Sequence, residues 1–249
     1  MRDGVAARAE RTESLPDIGR LSIIIPVLNE AKLLGTRLPS LLADVPDDTQ
    51  IIVVDGGSAD DSRRAAEQFV TVVTSPAGRA RQLNCGAAAA HGDVLLFLHA
   101  DVQLPIGWHD EISGVLANPH VVGGGFMIRA EPRSPSLDFI TALSNFRSRF
   151  RRRFYGDQAI FVRRSTFRRL GGFDETLSLF EGYDLTRRLR RFGEVACARR
   201  YVRASSRRFL EQGIWRTFFA FHYLKLRYFL GTLPRSVETL YPAPSVHNP

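Results

Sequence analysis

Cysteine is nearly absent. Two residues, Cys85 and Cys197, stand in a chain of 249, too few for a disulfide framework. Their apolar and small neighbours read as buried free thiols, which suits a reducing compartment and predicts a cytoplasmic protein. Lysine is equally rare. Lys32 and Lys225 are the only two, so a net charge of +8 is carried almost wholly by arginine. Genomic base composition is one source of such a bias; its physical consequence is a surface of planar forks matched to phosphate. A polyanion, a pyrophosphate or an anionic membrane would complement it. No apolar run reaches 18 residues, which excludes a transmembrane helix. The segment Met1 to Arg20 is polar and charged and lacks the apolar centre of a secretory signal; it reads as a disordered lead-in. A glycine-rich turn is missing from PVLNEAKLLG, which excludes a dinucleotide fingerprint, and GxxxxGK[ST] occurs nowhere, which excludes a P-loop. The arginines are scattered without a recognition motif, so no nucleic-acid partner is expected.

What is present is a globular composition, 44% hydrophobic and 24% charged, of a length that suits one large domain with a short appendage. Leu21 to Leu28 is a continuous β-branched run, as in a strand buried on both faces. Glu30 to Ala43 repeats leucine at helical spacing. Ile51 to Val54 predicts a second strand, followed by a helix to about Phe69 with Ser58 and Asp61 as a capping pair. Val70 to Thr74 predicts a strand, Ala80 to Ala90 a helix and Val94 to His99 a fourth buried strand. This alternation predicts an α/β fold with a mostly parallel central sheet, right-handed crossovers and a ligand site at the carboxyl ends of the strands. The second half is less regular. Strands are expected at Gly123 to Arg129 and Ala159 to Val162, and helices at Leu137 to Phe150, Glu181 to Phe192 and Trp215 to Leu230. The tail after Tyr241 carries three prolines and should be loose.

Three groupings carry chemistry. Asp55 in VVDGGS is a strand-end carboxylate that can accept hydrogen bonds from a base or ribose, or simply order a turn. Asp101 in LHAD can hold a divalent cation, magnesium or manganese, against a diphosphate, or cap a loop. Arg79 and Arg81 in GRARQLN stand at a helix N-terminus and read as an anion site or as a solvated face.

Taken in order, PVLNE, VVDGGS, GRARQLNCGA, FLHAD, GDQAIFVRR and LGGFDE resemble the family 2 glycosyltransferases, from about Leu21 to Tyr241. The resemblance is greatest to a small bacterial subgroup associated with arsenosugar biosynthesis. It implies a GT-A fold and an NDP-sugar donor, with UDP the expected nucleotide. Pro26, Asn29 and Glu30 would border the nucleotide, Asp55 would contact the base, and Arg79 and Arg81 would lie nearby. Asp101 would be the metal carboxylate of a DXD-like motif that here reads His99-Ala100-Asp101; His99 is then a metal or ribose contact, or a buried structural histidine. Gly156, Asp157 and Gln158 would line the acceptor side. Arg207 and Arg208 resemble the family's late basic pair near the diphosphate; a surface helix cap is the simpler alternative. The implied boundaries are a catalytic domain over 21–210, with a nucleotide-binding half at 21–105 and an acceptor half at 106–210, then an aromatic helix at 211–241 and a tail at 242–249.

Inverting members of the family take the acceptor proton with the aspartate of a Glu-Asp pair at a helix start. Here that aspartate is replaced by Gly182, in LFEGYDL. Glu181 is the first candidate for the base and Asp184 the second; a nucleotide-sugar-binding protein with impaired catalysis is the third reading. Ser178 and Glu181 also have capping-box spacing, and Asp184 and Arg188 ion-pair spacing. The basic run RSRFRRRF, Arg147 to Phe154, reads as a solvated, mobile flap, or as a surface for phosphate head groups or an anionic acceptor. The aromatic last helix packs on the core or makes a peripheral membrane contact at the inner face of the plasma membrane. The acceptor is accordingly a small molecule or a lipid-linked one, and the oligomeric state is left open.

Overall fold

The computed structural model describes residues 18–234 and 236–243. Most of the expected lead-in and most of the tail lie outside the described residues. Along the chain run β1 (Leu21–Val27), α1 (Ala31–Leu42), β2 (Gln50–Asp55), α2 (Ser62–Glu67), β3 (Thr71–Thr74), α3 (Arg79–Ala89), β4 (Val94–Phe97), β5 (Val102–Gln103), α4 (Trp108–Leu116) and β6 (Val121–Glu131). There follow α5 (Pro135–Arg151), a 3-10 turn (Gly156–Gln158), β7 (Ile160–Arg163), α6 (Arg164–Leu170), α7 (Glu181–Leu189), β8 (Glu194–Ser205), α8 (Arg207–Gln212) and α9 (Ile214–Phe229).

One eight-stranded sheet has the order β3-β2-β1-β4-β7-β6-β8-β5. The strands β3, β2, β1 and β4 are parallel throughout. Strand β7 then enters antiparallel between β4 and β6, and β8 runs parallel to β6 and antiparallel to the short β5. The continuous apolar runs of β1, β2 and β4 are buried because helices cover both faces. Ile23, Ile25 and Leu96 pack on one side, and Ile24, Ile52 and Leu95 on the other.

A third, smaller cluster joins Leu179, Phe180 and Tyr183 to Leu224 of α9, so the aromatic helix packs on α7 by one face only. The run Arg147 to Phe154 is no flap: its first five residues are the last turn of α5. Arg147 lies with its guanidinium 3.9 Å over the Tyr155 ring and donates to Gln158 Oε1 at 2.7 Å. Both cysteines are free, and each is half-buried rather than buried. Among the described residues no helix is long and apolar enough to cross a membrane.

Candidate functional site

Parallel pairing brings the carboxyl ends of β1, β2 and β4 to one edge, with Val27 opposite Asp55. The buried Gln82 of α3 pins that edge, donating to Val27 O at 2.8 Å and Val54 O at 2.9 Å. A Cβ at Gly56 would lie 2.9 Å from the same amide, so the first glycine after Asp55 makes room for it. The loops after β1 and β2 are stitched together. Asn29 N–H donates to Ser58 Oγ at 2.9 Å, Ala59 N–H to Asn29 Oδ1 at 2.8 Å, and Glu30 N–H to Ser62 Oγ at 2.7 Å.

Asp55 spends its carboxylate on this loop. It accepts from Gly57 N–H at 3.3 Å, Ser58 N–H at 3.2 Å and Ser58 Oγ at 2.5 Å. That is the turn-ordering role, and it corrects the expected cap of α2. Ser58 faces Asp55, Asp61 makes no side-chain cap bond, and Asp60 binds Ser62 instead. Pro26 lies within β1, opposite Val54.

The next residues converge from distant parts of the chain. Asp101 O accepts from Ser205 N–H at 3.2 Å, which carries the end of β8 and the start of α8 to the rim. There Arg207 meets Glu30 at 3.3 Å. Burial raises the Glu30 pKa, Arg207 opposes the shift and Asp101 adds to it. Burial also drives the His99 pKa well below its ordinary value, with Arg79 and Arg208 adding to the effect. His99 is therefore neutral at neutral pH, and its Nε2 is sealed from solvent without a partner. The Nε atoms of Arg207 and Arg208 are likewise sealed and unpaired, while Arg208 lies 4.3 Å over the Tyr241 ring. Ala100 follows His99 in the turn, and both line a cavity of about 480 Å³ with Arg37, Arg129 and Arg203.

Glu181 opens α7, is buried, and accepts from Arg79 at 3.5 Å. A Cβ on Gly156 would lie 2.5 Å from His99 Nε2 and 3.4 Å from Glu181 Oε1, so the 3-10 turn sits directly against both side chains. Asp157 on that turn has an Oδ1 that is sealed and unpaired. Burial pushes its carboxyl up to about 6; Arg147 opposes this, Asp101 adds to it and Arg79 opposes it. Asp157 also lines a cavity of about 370 Å³ between α5 and α9, with Ser144, Arg147, Phe218 and Lys225 among its walls. Neither this cavity nor the one beside Ala100 is lined by Asp55 or Asp101.

Backbone conformation sharpens the arrangement. Asn29, Ala159 and Phe180 all have positive φ, at 56°, 44° and 72°. For alanine and phenylalanine this region is costly. The three flank, respectively, the β1 loop, the 3-10 turn and Glu181.

Four expectations change. Asp184 is not poised as a base: it takes Arg188 at 2.6 Å, Arg187 at 2.8 Å and the Tyr228 hydroxyl at 3.0 Å. Burial raises its pKa, but these bonds more than reverse that and hold it low. Ser178 and Glu181 form no capping box, because Ser178 donates to Pro234 O. Gln158 faces inward, its amide used up by Phe126 O, Ser148, Arg147 and Tyr155 N–H, so it braces the turn instead of lining open space. Arg81 reaches Glu175 at 3.8 Å, away from the Arg79–Glu181 pair. Sequence reasoning missed the groove itself; its signal was Arg147 amid the apolar residues of α5.

Among the described residues no three His, Cys, Asp or Glu side chains form a ready cage for a metal ion. Asp101 still fits a hard divalent cation that completes its shell with phosphate oxygens and water. Such an ion would offset the repulsion that Asp101 exerts on Glu30 and Asp157, and the unpartnered His99 Nε2 lies on the same loop.

The chain is 31% identical over 196 residues to a pre-mycofactocin glycosyltransferase of Mycobacterium tuberculosis, a match covering 72% of this chain but only 41% of that protein. It thus spans less than half the length of that relative. A mannosyltransferase of Pyrobaculum calidifontis, in complex with GDP-Man and Mn2+, superposes with a TM-score of 0.62 at 21% identity, over 83% of this chain and 62% of the other. S. aureus TarS in complex with UDP-GlcNAc superposes with a TM-score of 0.58 at 17% identity, over 75% and 58%. These likenesses show a GT-A type α/β fold. Glycosyl transferase family 2 matches residues 22–171, more than half of the chain, and the chain belongs to that family.

Proposed function

We propose that the protein transfers a glycosyl group from a nucleoside diphosphate sugar, with UDP as the expected nucleotide, to an acceptor hydroxyl by one inverting displacement. The observation that carries this is the meeting of Asp101, Glu30–Arg207, Arg79–Glu181, His99 and Asp157 at one edge of the sheet. The donors named in the solved neighbours support a nucleotide sugar. The motif order further supports the arsenosugar-associated subgroup, and the free thiols support a cytoplasmic setting.

In the displacement the acceptor oxygen attacks the anomeric carbon, the bond to the diphosphate breaks, and the electron pair leaves with the nucleotide. The proton passes to a carboxylate. Asp157 suits that role because it is among the residues lining the groove cavity and its pKa of about 6 leaves it ionised yet basic near neutrality. Glu181 is the second candidate, since it packs with His99 against Gly156 of the same turn. Arg79, Arg207 and Arg208 supply positive charge for the departing diphosphate. A divalent cation held by Asp101 would add charge stabilisation there.

A binding protein without turnover is suggested by Gly182 alone. At that position, however, the space of a side chain is occupied: a Cβ would lie 2.8 Å from Ile160 Cδ1 and 2.9 Å from Gly156 N. The turn bearing Asp157 therefore occupies the room the usual aspartate would need. A donor panel read by release of free nucleotide tests the proposal. Release with at least one acceptor supports it; tight UDP-sugar binding with no release from any donor and acceptor favours the binding protein.

A further inference from the structure

The two helices that wall the groove carry apolar stripes that nothing among the described residues covers. On α5 these are Phe139, Leu143, Phe146 and Phe150, and on α9 Trp215, Phe219, Tyr223 and Leu226 with Leu230 just past its end, each 45–66% exposed. Both sets repeat at intervals of three and four residues, so each is one face of a helix. The stripes are continuous with each other, since the rings of Phe139 and Trp215 lie 6.4 Å apart. An exposed apolar surface of this kind marks an interaction site.

The charge beside the stripes is one-sided. Helix α5 carries Arg147, Arg149 and Arg151, and α9 carries Arg216, Lys225 and Arg227. The one acid within the two helices, Asp138, is held by Arg133 through two bonds of 3.0 Å. Arg147, Arg151 and Lys225 all line the groove; burial lowers the Lys225 pKa, and the two arginines lower it further. A second copy of this chain would set cation against cation. An anionic lipid leaflet offers apolar matter and negative charge together.

We infer that the α5–α9 face rests on an anionic lipid surface and that the groove between the helices admits the apolar tail of a lipid acceptor, whose hydroxyl reaches Asp157. The groove has the lining this requires, with the apolar Ile128, Ala130, Leu137 and Phe218 and the carboxylate of Asp157 all among its walls. The word acceptor rests on the transferase reading; the lipid contact does not.

Vesicle sedimentation tests it, using phosphatidylcholine alone and mixed equally with phosphatidylglycerol. Expected is binding to the anionic vesicles, weakened by salt, and little to the neutral ones. Phe146→Ser with Phe219→Ser should lower it by about tenfold or more. Trp215 emission should shift to the blue on binding, and Trp215→Phe should abolish the shift, because Trp108 is already buried. For the groove, dodecyl phosphate below its micelle concentration should bind at least about tenfold tighter than inorganic phosphate. Absence of vesicle binding, equal binding to both vesicles, or a dimer in solution that the same double variant dissolves, would overturn the surface. Equal affinity for the two phosphates would overturn the groove. Calorimetry with UDP and manganese on every variant separates the two readings. Vesicle binding without UDP binding removes the transferase and leaves the lipid surface, and UDP binding without vesicle binding does the reverse.

Discussion

Asp157 sits in dry surroundings: one carboxylate oxygen has no partner and burial pushes its pKa up to about 6. If it accepts the acceptor proton, kcat/KM should fall on the acid side with a midpoint near 6, and Asp157→Asn should lower turnover by about 10²–10⁴-fold and erase that limb. The same shift has a stability sign. The folded pKa lies above the ordinary value of 3.8, so the native state binds the proton more tightly, and stability is lost as pH rises through the window from about 4 to about 6. Asp157→Asn should therefore raise the unfolding midpoint at pH 7 and leave it unchanged at pH 3. A variant that is both slower and more stable would fit a strained functional carboxylate; one that is slower and less stable would point to a structural role. Gly182 gives the opposite expectation. Because a Cβ there meets Gly156 N at 2.9 Å, Gly182→Asp should cost about 1–3 kcal/mol through overpacking and reduce turnover. A gain in rate would instead mark the chain as an impaired enzyme. Sequence alone could show that an aspartate was missing, but not that a turn more than twenty residues upstream fills its place.

Among the elements, α7 is the piece through which the rim and the aromatic helix are joined. Its Asp184 gathers Arg187, Arg188 and the hydroxyl of Tyr228 from α9, and Arg188 passes on to Gly172 O at 2.8 Å. Removing the charge leaves two arginines and a phenol facing an amide. Asp184→Asn should cost about 2 kcal/mol by chemical denaturation. The Asp184 pKa is depressed below 3.8, so this contribution is present above pH 3.8 and disappears as pH falls through the lower folded value. The mutant and parent curves should converge in strong acid. The pH profile of turnover should stay in place; its loss would return Asp184 to the chemistry. How legible each element was follows its burial. Strands β1, β2 and β4 are buried on both faces, and their unbroken apolar runs announce them. Strand β8 (EVACARRYVRAS) was not read because arginines fill its exposed positions and a bulge breaks its register with β6. Helices α4, α6 and α8, at nine, seven and six residues, leave little room for a helical period to repeat. Length alone is not the reason they were missed, because α2 and α7, at six and nine residues, were expected.

Across the whole molecule, the order of motifs made the family and the first four strands legible, yet the site is assembled by contacts that sequence spacing conceals. Glu30 and Arg207 are 177 positions apart and meet at 3.3 Å, and Arg79 and Glu181, 102 apart, meet at 3.5 Å. The first pair depends on β8 returning parallel to β6 and delivering α8 to the end of β4, a topology that local periodicity does not encode. A ligand gripping that rim would contact elements from both halves of the chain, and so should stabilise the fold as one unit. With UDP and manganese at a hundred times the dissociation constant, linkage supplies about 2.7 kcal/mol. For a chain of this size that is a rise of roughly 5–10 °C in the unfolding midpoint. Arg207→Ala removes the far side of the grip and frees Glu30, so most of the rise should vanish even though residue 207 lies far from the nucleotide-binding motifs in sequence. Asp101→Ala should abolish the manganese-dependent part and leave the rest. Differential scanning calorimetry with UDP alone, manganese alone and both together reads each term. A full rise in both variants would mean that the nucleotide binds elsewhere and that the rim described here does not hold it.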